Sequence, residues 1–315
     1  MKGAVCLKSK IIISVQAIVI ASLIVCVGWL GCSRKPETES ASLDTADEQN
    51  VTEILDGDVP YPTTGEKIYL DMAGVGEMWI PVLANVPACE RDPEQHVTRN
   101  GQVFYLEDDK ISSVLGVDVS SYQGNIDWAK VKESGIRFAM IRCGYRGYGS
   151  GEIVVDEAFH QNMQGAIDAG LDVGVYFYSQ AITPEEAAEE ANMTLSLLKD
   201  YEITYPVVYD WEIVSSDAAR TDGISVEALT NCTIAFCDTV KDAGYIPMVY
   251  QNKRVSLLKL DLPALTGYDF WLAEYNDQAT YYYNYRMWQY CSDGKVPGIP
   301  TACDMNICFT PYGND

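Results

Sequence analysis

The chain has 315 residues and a formal net charge of −23, from 45 acidic and 22 basic side chains. A protein that binds nucleic acid needs a basic face, so this charge argues against a nucleic-acid partner. Only two histidines are present, His96 and His160, and no cysteines have the spacing of zinc ligands. We therefore expect neither a metal site nor a cofactor.

The amino-terminal end has the composition of a membrane segment. Residues 11–32 form an uncharged apolar stretch of about the length that spans a bilayer, with lysines before it. Three interpretations stay open: an uncleaved anchor, a cleaved signal peptide, or a lipoprotein signal acylated at Cys32. Trp29 stands where a lipoprotein signal usually has leucine, which favours the anchor. We predict a signal or anchor over residues 1–32 and an extracytoplasmic protein, anchored to the membrane of a bacterium or secreted.

Two regions of different composition follow. Residues 33–62 are polar and acidic with few large apolar side chains, which predicts a flexible linker. Apolar and polar residues then alternate from Ile68 to Met72, and Asn100-Gly101 is a hairpin-turn signal. We predict a small β-rich region over residues 63–112, and the sequence does not indicate its role.

Seven cysteines lie beyond residue 32. Their odd number and scattered spacing are not typical of a disulfide framework. We expect buried free thiols, with a bridge between Cys303 and Cys308 left open.

From Leu115 onward, strand-like and helix-like segments alternate, which favours a parallel sheet with helices outside it. The predicted strands are Gly116 to Val119, Phe138 to Arg142, Val173 to Tyr178, Val207 to Glu212, Ile246 to Tyr250, Phe270 to Tyr275, Met287 to Tyr290 and Asp304 to Phe309. The predicted helices are Trp128 to Glu133, Asp156 to Ala169, Pro184 to Lys199 and Val226 to Ala243. Connections shorten after the fifth strand. We predict an α/β fold over residues 113–312: an irregular, incomplete TIM-like (β/α) barrel with about eight strands and fewer helices.

The stretch YPVVYDWE, from Tyr205 to Glu212, carries two carboxylates at the end of an apolar run. Alternate side chains of a strand share a face, so Asp210 and Glu212 face the same space. Their Cα atoms are then about 6.6 Å apart, which lets the carboxyl groups lie at the separation used by glycosidase pairs. Repulsion and burial raise one pKa and keep that acid protonated. An isolated Asp-x-Glu pattern also marks an ordinary strand end, so the rest of the chain must decide.

Two more acids are predicted to join the pair. Asp118 lies in the first barrel strand and Asp304 opens the last, and these strands are neighbours in a closed barrel. Catalytic groups of such barrels gather at the carboxyl ends of strands. Aromatic residues near the same ends suit the apolar faces of sugars, although core packing is the alternative. The predicted substrate-binding residues are Tyr178, Tyr250, Trp271, Tyr275 and Trp288.

Several separated stretches resemble one family, the glycoside hydrolase family 25 muramidases, or Chalaropsis-type lysozymes. The similarity covers about residues 113–312. It rests on GVDVSSYQGNIDW, FAMIRCGYRGYGSG, VGVYFYSQA, YPVVYDWE, FWLAEYN, MWQYCSDGKVPGI and CDMNICF, in that order along the chain. Met305 is a departure, since a smaller aliphatic residue is expected there.

The resemblance implies hydrolysis, with retention, of the β-1,4 bond from N-acetylmuramic acid to N-acetylglucosamine in the glycan strands of peptidoglycan. Glu212 matches the general acid and base. Asp210 matches a nucleophile, or a group that stabilises the substrate's own N-acetyl oxygen as it attacks. Asp118 and Asp304 match supporting acids. We expect a monomer.

Two alternatives stay open. One is another N-acetylhexosamine glycosidase, either a glucosaminidase or a chitinase-like enzyme. The other is a non-catalytic glycan-binding protein, against which the four intact acids argue, because buried acids are costly to keep.

Overall fold

The computed structural model describes residues 61–72, 74–214, 216 and 219–312. The apolar stretch at 11–32 and nearly all of the predicted linker lie outside the described residues. Within the described part of the chain, no helix is long and apolar enough to cross a membrane.

The first part of the described chain is β-rich, as predicted. Its strands are β1 (Thr63–Met72), β2 (Gly76–Leu83), β3 (His96–Arg99), β4 (Gln102–Glu107) and β5 (Lys110–Ile111). β1 pairs with β2, and β4 pairs with both β3 and β5, all antiparallel. Asn100 and Gly101 join β3 to β4 with φ of 53° and 78°, the left-handed values that a tight hairpin turn requires.

The rest of the described chain forms a barrel. Its strands are β6 (Val114–Val119), β7 (Phe138–Arg146), β8 (Ile153–Val155), β9 (Asp172–Ser179), β10 (Val207–Trp211), β11 (Pro247–Asn252), β12 (Asp269–Ala273), β13 (Met287–Gly294) and β14 (Cys303–Cys308). Its helices are α1 (Trp128–Glu133), α2 (Phe159–Asp168), α3 (Pro184–Leu197), α4 (Val226–Asp242) and α5 (Lys253–Lys259). The eight predicted strands are all present, and no helix follows β12 in the described residues, as the short connections indicated.

The barrel closes in the order β6, β7, β9, β10, β11, β12, β13 and β14, while β8 pairs only with the end of β7. The neighbours from β6 to β13 are parallel. β14 is antiparallel to both β13 and β6, which the prediction of a parallel sheet missed. The helix-free connection 295–302 explains this, because a parallel crossover needs a dozen or more residues.

Side chains alternate between the barrel interior and the layer beneath the helices. On β10, Val208 packs inside with Met248 and Met287, while Val207 and Tyr209 pack outward. This confirms the predicted faces of that strand. The interior is tight: a Cβ on Gly116 would lie 2.1 Å from the ring of Phe138.

The strands that lack helices are covered by the β-rich region instead. His96 lies 5.3 Å from Trp288 between ring centroids, and Tyr105 lies 5.3 Å from Phe309. The Arg91 guanidinium lies 4.0 Å from the centroid of the Phe309 ring. Residues 91–105 therefore cover β13 and β14, as packed helices cover the earlier strands.

Six of the seven cysteines beyond residue 32 are free thiols, whereas Cys291 is disulfide-bonded, contrary to the expectation. Cys143, Cys232, Cys237, Cys303 and Cys308 are free and buried, and Cys89 is free and half-buried. Cys303 and Cys308 stand at opposite ends of β14, so the bridge between them does not form.

Candidate active site

A pit of about 210 Å³ opens at the carboxyl end of the parallel strands. Each of the eight barrel strands contributes at least one lining residue, and β14, which runs the other way, contributes Asp304, its second residue. The lining side chains are Asp118, Arg142, Tyr176, Tyr178, Asp210, Glu212, Tyr250, Trp271, Tyr275, Gln289 and Asp304.

Asp210 and Glu212 come from β10 and the residue that follows it. Asp210 is 4% exposed and is flanked in register by Tyr178 on β9 and Tyr250 on β11. Its Oδ1 is buried and has no hydrogen-bond partner. A buried carboxylate oxygen without a donor is costly, so this atom is available to a donor from a ligand.

Asp118 and Asp304 face each other across the β6–β14 pair, where their Cα atoms are in register. The closure of the barrel thus brings together two acids that are far apart in sequence. Asp118 Oδ2 accepts from Asn306 Nδ2 at 2.7 Å and from Gln289 Nε2 at 2.9 Å. Two donors on one oxygen stabilise the ionised form of Asp118.

The two amides are held in this orientation by aromatic donors. Trp271 Nε1 donates to Asn306 Oδ1 at 2.8 Å. The hydroxyls of Tyr250 and Tyr275 both donate to Gln289 Oε1, each at 2.9 Å. With their oxygens occupied in this way, both amides present N–H groups to Asp118.

The pKa values of Asp118 and Asp304 differ. Burial raises the pKa of Asp118 to about 6, against the hydrogen bonds from Asn306, Gln289 and Asp304. Burial, then the charges of Asp118 and Glu212, raise the pKa of Asp304 to about 9. At neutral pH the pair therefore holds one proton, on Asp304, which it donates to ionised Asp118.

Asp210 and Glu212 also disfavour each other's ionisation. Burial and then the charge of Asp118 raise the pKa of Glu212 to about 7. Burial, followed by the charges of Glu212 and Asp118, raises the pKa of Asp210 well above its ordinary value, while Arg142 opposes the shift. Two interacting carboxyls titrate as a pair, so Asp210 and Glu212 together retain a proton near neutral pH.

The main chain of Glu212 is held by buried Gln180, which follows β9. Gln180 Nε2 donates to the carbonyl of Glu212 at 3.1 Å. Thr221 Oγ1 donates to Gln180 Oε1 at 2.7 Å, and Arg220 Nη1 donates to the Gln180 carbonyl at 3.0 Å. Arg220 is itself paired with Glu186 of α3, at 2.6 Å. The acid thus has a chain of polar contacts that leads to a helix.

The structure brings eight of the nine predicted site residues to the pit: Asp118, Asp210, Glu212, Asp304, Tyr178, Tyr250, Trp271 and Tyr275. Trp288 does not reach it. Its ring packs on the outward face of β13 and donates to the carbonyl of Glu274 at 2.8 Å.

Three lining residues were not singled out from the sequence: Arg142, Tyr176 and Gln289. Strand alternation was the available signal for one of them. Gln289 and Trp288 are adjacent on β13 and must face opposite sides, so choosing Trp288 for the pit excluded Gln289.

Among the described residues, no group of three or more His, Cys, Asp or Glu side chains has the arrangement of a metal site. The polar groups that line the pit are carboxyls, the amide of Gln289, tyrosine hydroxyls, the indole of Trp271 and the guanidinium of Arg142.

Comparisons with known proteins found similar chains. The model of the family described as glycosyl hydrolases family 25 matches residues 117–299. The autolytic lysozyme of Clostridium acetobutylicum is 28% identical over 198 residues, which is 61% of this chain and 54% of that protein.

Two solved structures have the same fold. The modular autolysin LytC from Streptococcus pneumoniae has a TM-score of 0.57 and 24% identity, covering 78% of this chain and 57% of that chain. A family 25 glycosyl hydrolase from Bacillus anthracis has a TM-score of 0.51 and 23% identity, covering 67% of this chain and 94% of that chain. The chain thus spans little more than half the length of the clostridial lysozyme and of LytC.

Proposed function

Because the chain belongs to glycosyl hydrolases family 25, we propose that it is a peptidoglycan muramidase. It hydrolyses, with retention, the β-1,4 bond from N-acetylmuramic acid to N-acetylglucosamine. The observation that supports this proposal most directly is that Asp210 and Glu212 line the same pit, together with aromatic side chains. The similarity to an autolytic lysozyme supports the substrate class. The similarity to LytC, which is 25% identical and has been solved in complex with a synthetic peptidoglycan ligand, also supports this substrate class.

Glu212 is the general acid in this proposal. Its pKa of about 7 keeps much of it protonated at neutral pH, which is the condition for donating a proton to the leaving oxygen. Once the glycosidic bond has broken, the ionised Glu212 takes a proton from the water that completes hydrolysis.

Asp210 acts as the nucleophile, or it stabilises the N-acetyl oxygen of the substrate as that oxygen attacks. Either role needs the ionised form, which burial and the charges of Glu212 and Asp118 disfavour. A substrate N–H that donates to the unpartnered Oδ1 of Asp210 stabilises the charge and lowers the pKa of Asp210. The remaining proton then stays on Glu212, where the reaction requires it.

Asp118 and Asp304 act as supporting acids. The charge of Asp118 raises the pKa of Glu212, and the proton on Asp304 prevents a second full charge from accumulating beside it. Gln289 and Asn306 keep Asp118 ionised through their hydrogen bonds.

The proposal extends to the whole protein. We place it outside the cytoplasm of a bacterium as a monomer, with residues 1–32 as the membrane anchor or signal and residues 33–62 as the linker. Topology mapping in a bacterial host, with reporters fused after residue 32 and at the carboxyl terminus, tests this placement.

The test of the reaction is digestion of purified peptidoglycan by the full-length chain, followed by borohydride reduction and mass spectrometry. We expect new muramitol ends that Glu212→Gln abolishes. Glucosaminitol ends would assign the other bond, and binding without new ends would identify a non-catalytic glycan-binding protein. Thr239→Ala on α4 is the matched control, because the Thr239 hydroxyl donates to the carbonyl of Ala235 in its own helix and Thr239 does not line the pit.

A further inference from the structure

One buried carboxylate beside the pit has no role in the reaction described above. Glu274 directly follows β12 and is 1% exposed, and it does not line the pit. A buried acid is costly unless it is paired and hydrogen-bonded, so its contacts show what it stabilises. The next residue along the chain is Tyr275, whose side chain does line the pit.

The carboxylate of Glu274 accepts hydrogen bonds from the loop that follows it. Oε2 accepts from the backbone N–H groups of Thr280 and Tyr281, at 2.8 Å and 3.2 Å. Oε1 accepts from the hydroxyl of Thr280 at 2.7 Å and from Asn276 Nδ2 at 3.0 Å. Residues 276–281 therefore fold back around this one side chain, which ties both ends of the loop to the end of β12.

A cation from a neighbouring helix completes these contacts. Lys253 Nζ, at the start of α5, lies 3.0 Å from Glu274 Oε1 and 2.9 Å from Thr280 Oγ1. The side chains of Lys253 and Glu274 are only 11% and 2% exposed. Solvent therefore screens this pair weakly, and removing one partner leaves a poorly solvated charge behind. The ion pair fixes the loop to the helix that follows β11.

The main chain of Glu274 is held from the other side by β13. Its N–H donates to the carbonyl of Gln289 at 3.1 Å, and its carbonyl accepts from Trp288 Nε1 at 2.8 Å. Beside this fixed residue, the Tyr275 hydroxyl donates to Gln289 Oε1 at 2.9 Å. Gln289 Nε2 in turn donates to Asp118 Oδ2 at 2.9 Å. Glu274 is thus connected to an acid of the pit through one phenol and one amide.

We propose that Glu274 is a positioning residue for the reaction: by fixing the loop around Tyr275, it holds the Tyr275 hydroxyl on the amide that donates to Asp118. This inference rests on the proposed muramidase function. It gives Glu274 and Lys253 no contact with the substrate, so their removal acts through Tyr275.

The first measurement is the pH profile of kcat/KM for Glu274→Ala, with the purified full-length chain and peptidoglycan oligosaccharides. Release of Tyr275 should lower kcat/KM about tenfold. Gln289 then stabilises the ionised form of Asp118 less well, and a smaller charge on Asp118 lowers the pKa of Glu212. The alkaline limb of the profile should therefore move to lower pH, by about 0.3 pH unit.

The second measurement is a double-mutant cycle with Tyr275→Phe. This substitution keeps the ring and removes the hydroxyl, so it should move the alkaline limb in the same direction as Glu274→Ala. Because both changes act through one hydroxyl, the double variant should show no further movement of the limb. An additional shift in the double variant would overturn the proposal, since the two residues would then act independently.

Asp269, at the opposite end of β12, is the matched control. Its carboxylate also accepts from a cation, Arg286 Nη1 at 3.1 Å, and from the Tyr312 hydroxyl at 2.6 Å, and it does not line the pit. Asp269→Ala should lower Tm and leave both kcat/KM and the alkaline limb unchanged. A folded Glu274→Ala variant that behaves in the same way would overturn the proposal, because only a structural role would remain.

Lys253→Met decides the matter if Glu274→Ala does not fold. It keeps the aliphatic stem and removes the ion pair, while the N–H donors of Thr280 and Tyr281 remain. The alkaline limb should move in the same direction, with a smaller loss of kcat/KM. An unchanged limb in folded Lys253→Met would contradict the proposal.

A readout independent of turnover separates this inference from the proposed function. With ring-labelled tyrosine, the NMR signal of Tyr275 is identified by its absence from Tyr275→Phe. It should shift in Glu274→Ala and Lys253→Met and stay in place in Asp269→Ala. If the chain cleaves no peptidoglycan but the signal shifts in this way, the muramidase function fails while the positioning of Tyr275 stands. Cleavage with an unmoved signal would overturn the positioning alone.

Discussion

Gln180 holds the carbonyl of Glu212 by a hydrogen bond of 3.1 Å, although the two residues belong to different βα units. Gln180 is fully buried, and its oxygen is engaged by Thr221. The general acid proposed here stands one residue beyond the end of β10. Gln180 is therefore the contact that holds its main chain where the strand ladder ends.

Gln180→Met keeps the size of the side chain and removes the donor. We expect kcat to fall about tenfold to a hundredfold, because a displacement of about 1 Å has this cost at a reacting group, while KM changes less. The measurement is steady-state kinetics on peptidoglycan oligosaccharides with the melting temperature determined alongside. Thr221→Val is the comparison: it removes only the bond to the oxygen of Gln180 and should lose less activity. Equal losses in both variants would assign Gln180 a merely structural role.

The pH profile of kcat/KM should fall above about pH 7, as Glu212 of the free enzyme loses its proton. The acid limb should appear in the profile of kcat, as Asp210 of the substrate complex, whose pKa the bound substrate lowers, gains a proton. Asp118→Asn removes a negative charge that raises the pKa of Glu212. The pKa of Glu212 then decreases, and the alkaline limb should move to lower pH. Asp200→Asn, which changes an exposed carboxylate outside the pit, should leave the limb in place. An unmoved limb in Asp118→Asn would contradict the electrostatic coupling.

The buried acids of the pit should lower the free energy of unfolding as pH rises, because their ionisation is disfavoured in the folded chain. Folding raises the pKa of Asp210, so the folded chain binds this proton more tightly than the unfolded chain. The free energy of unfolding is then unaffected below the ordinary carboxyl pKa of about 4 and is reduced above it. Asp210→Asn should raise Tm at about pH 8 by a few degrees, at about 2–4 °C per kcal/mol for a domain of this size. The change should nearly vanish at about pH 4, and calorimetry at both values checks this.

Arg91 should matter for stability and not for turnover. Its guanidinium lies 4.3 Å from the Tyr285 ring centroid and 4.0 Å from that of Phe309, and it donates to the carbonyl of Tyr285. Arg91→Ala should lower the free energy of unfolding by about 1–3 kcal/mol. Denaturant unfolding measures this, with Lys110→Ala on exposed β5 as the control. A stable variant with reduced kcat would contradict the structural role of the β-rich region.

Much of the barrel could be predicted because its signals are local. Each strand is a short apolar run, and the faces of β10 follow from alternation alone, which the structure confirms for Val207 and Val208. The same rule could have corrected Trp288, whose neighbour Gln289 faces the pit. The prediction that Asp118 and Asp304 lie together needed only one further assumption, that the first and last strands are neighbours. The register of these two residues across β6 and β14 confirms it.

The barrel strands and the acid pair on β10 could be predicted from the sequence alone, because they depend on patterns within one strand. The resemblance to one family could be recognised because its short motifs follow one another in order along the chain. The packing of residues 91–105 over β13 and β14, and the groove that tyrosines from separate segments form beside the pit, become visible in the folded chain. The tertiary structure also decided which acids share protons, since burial and the neighbouring charges set each pKa. Burial and proximity across the barrel are properties of the closed fold, and no local pattern encodes them.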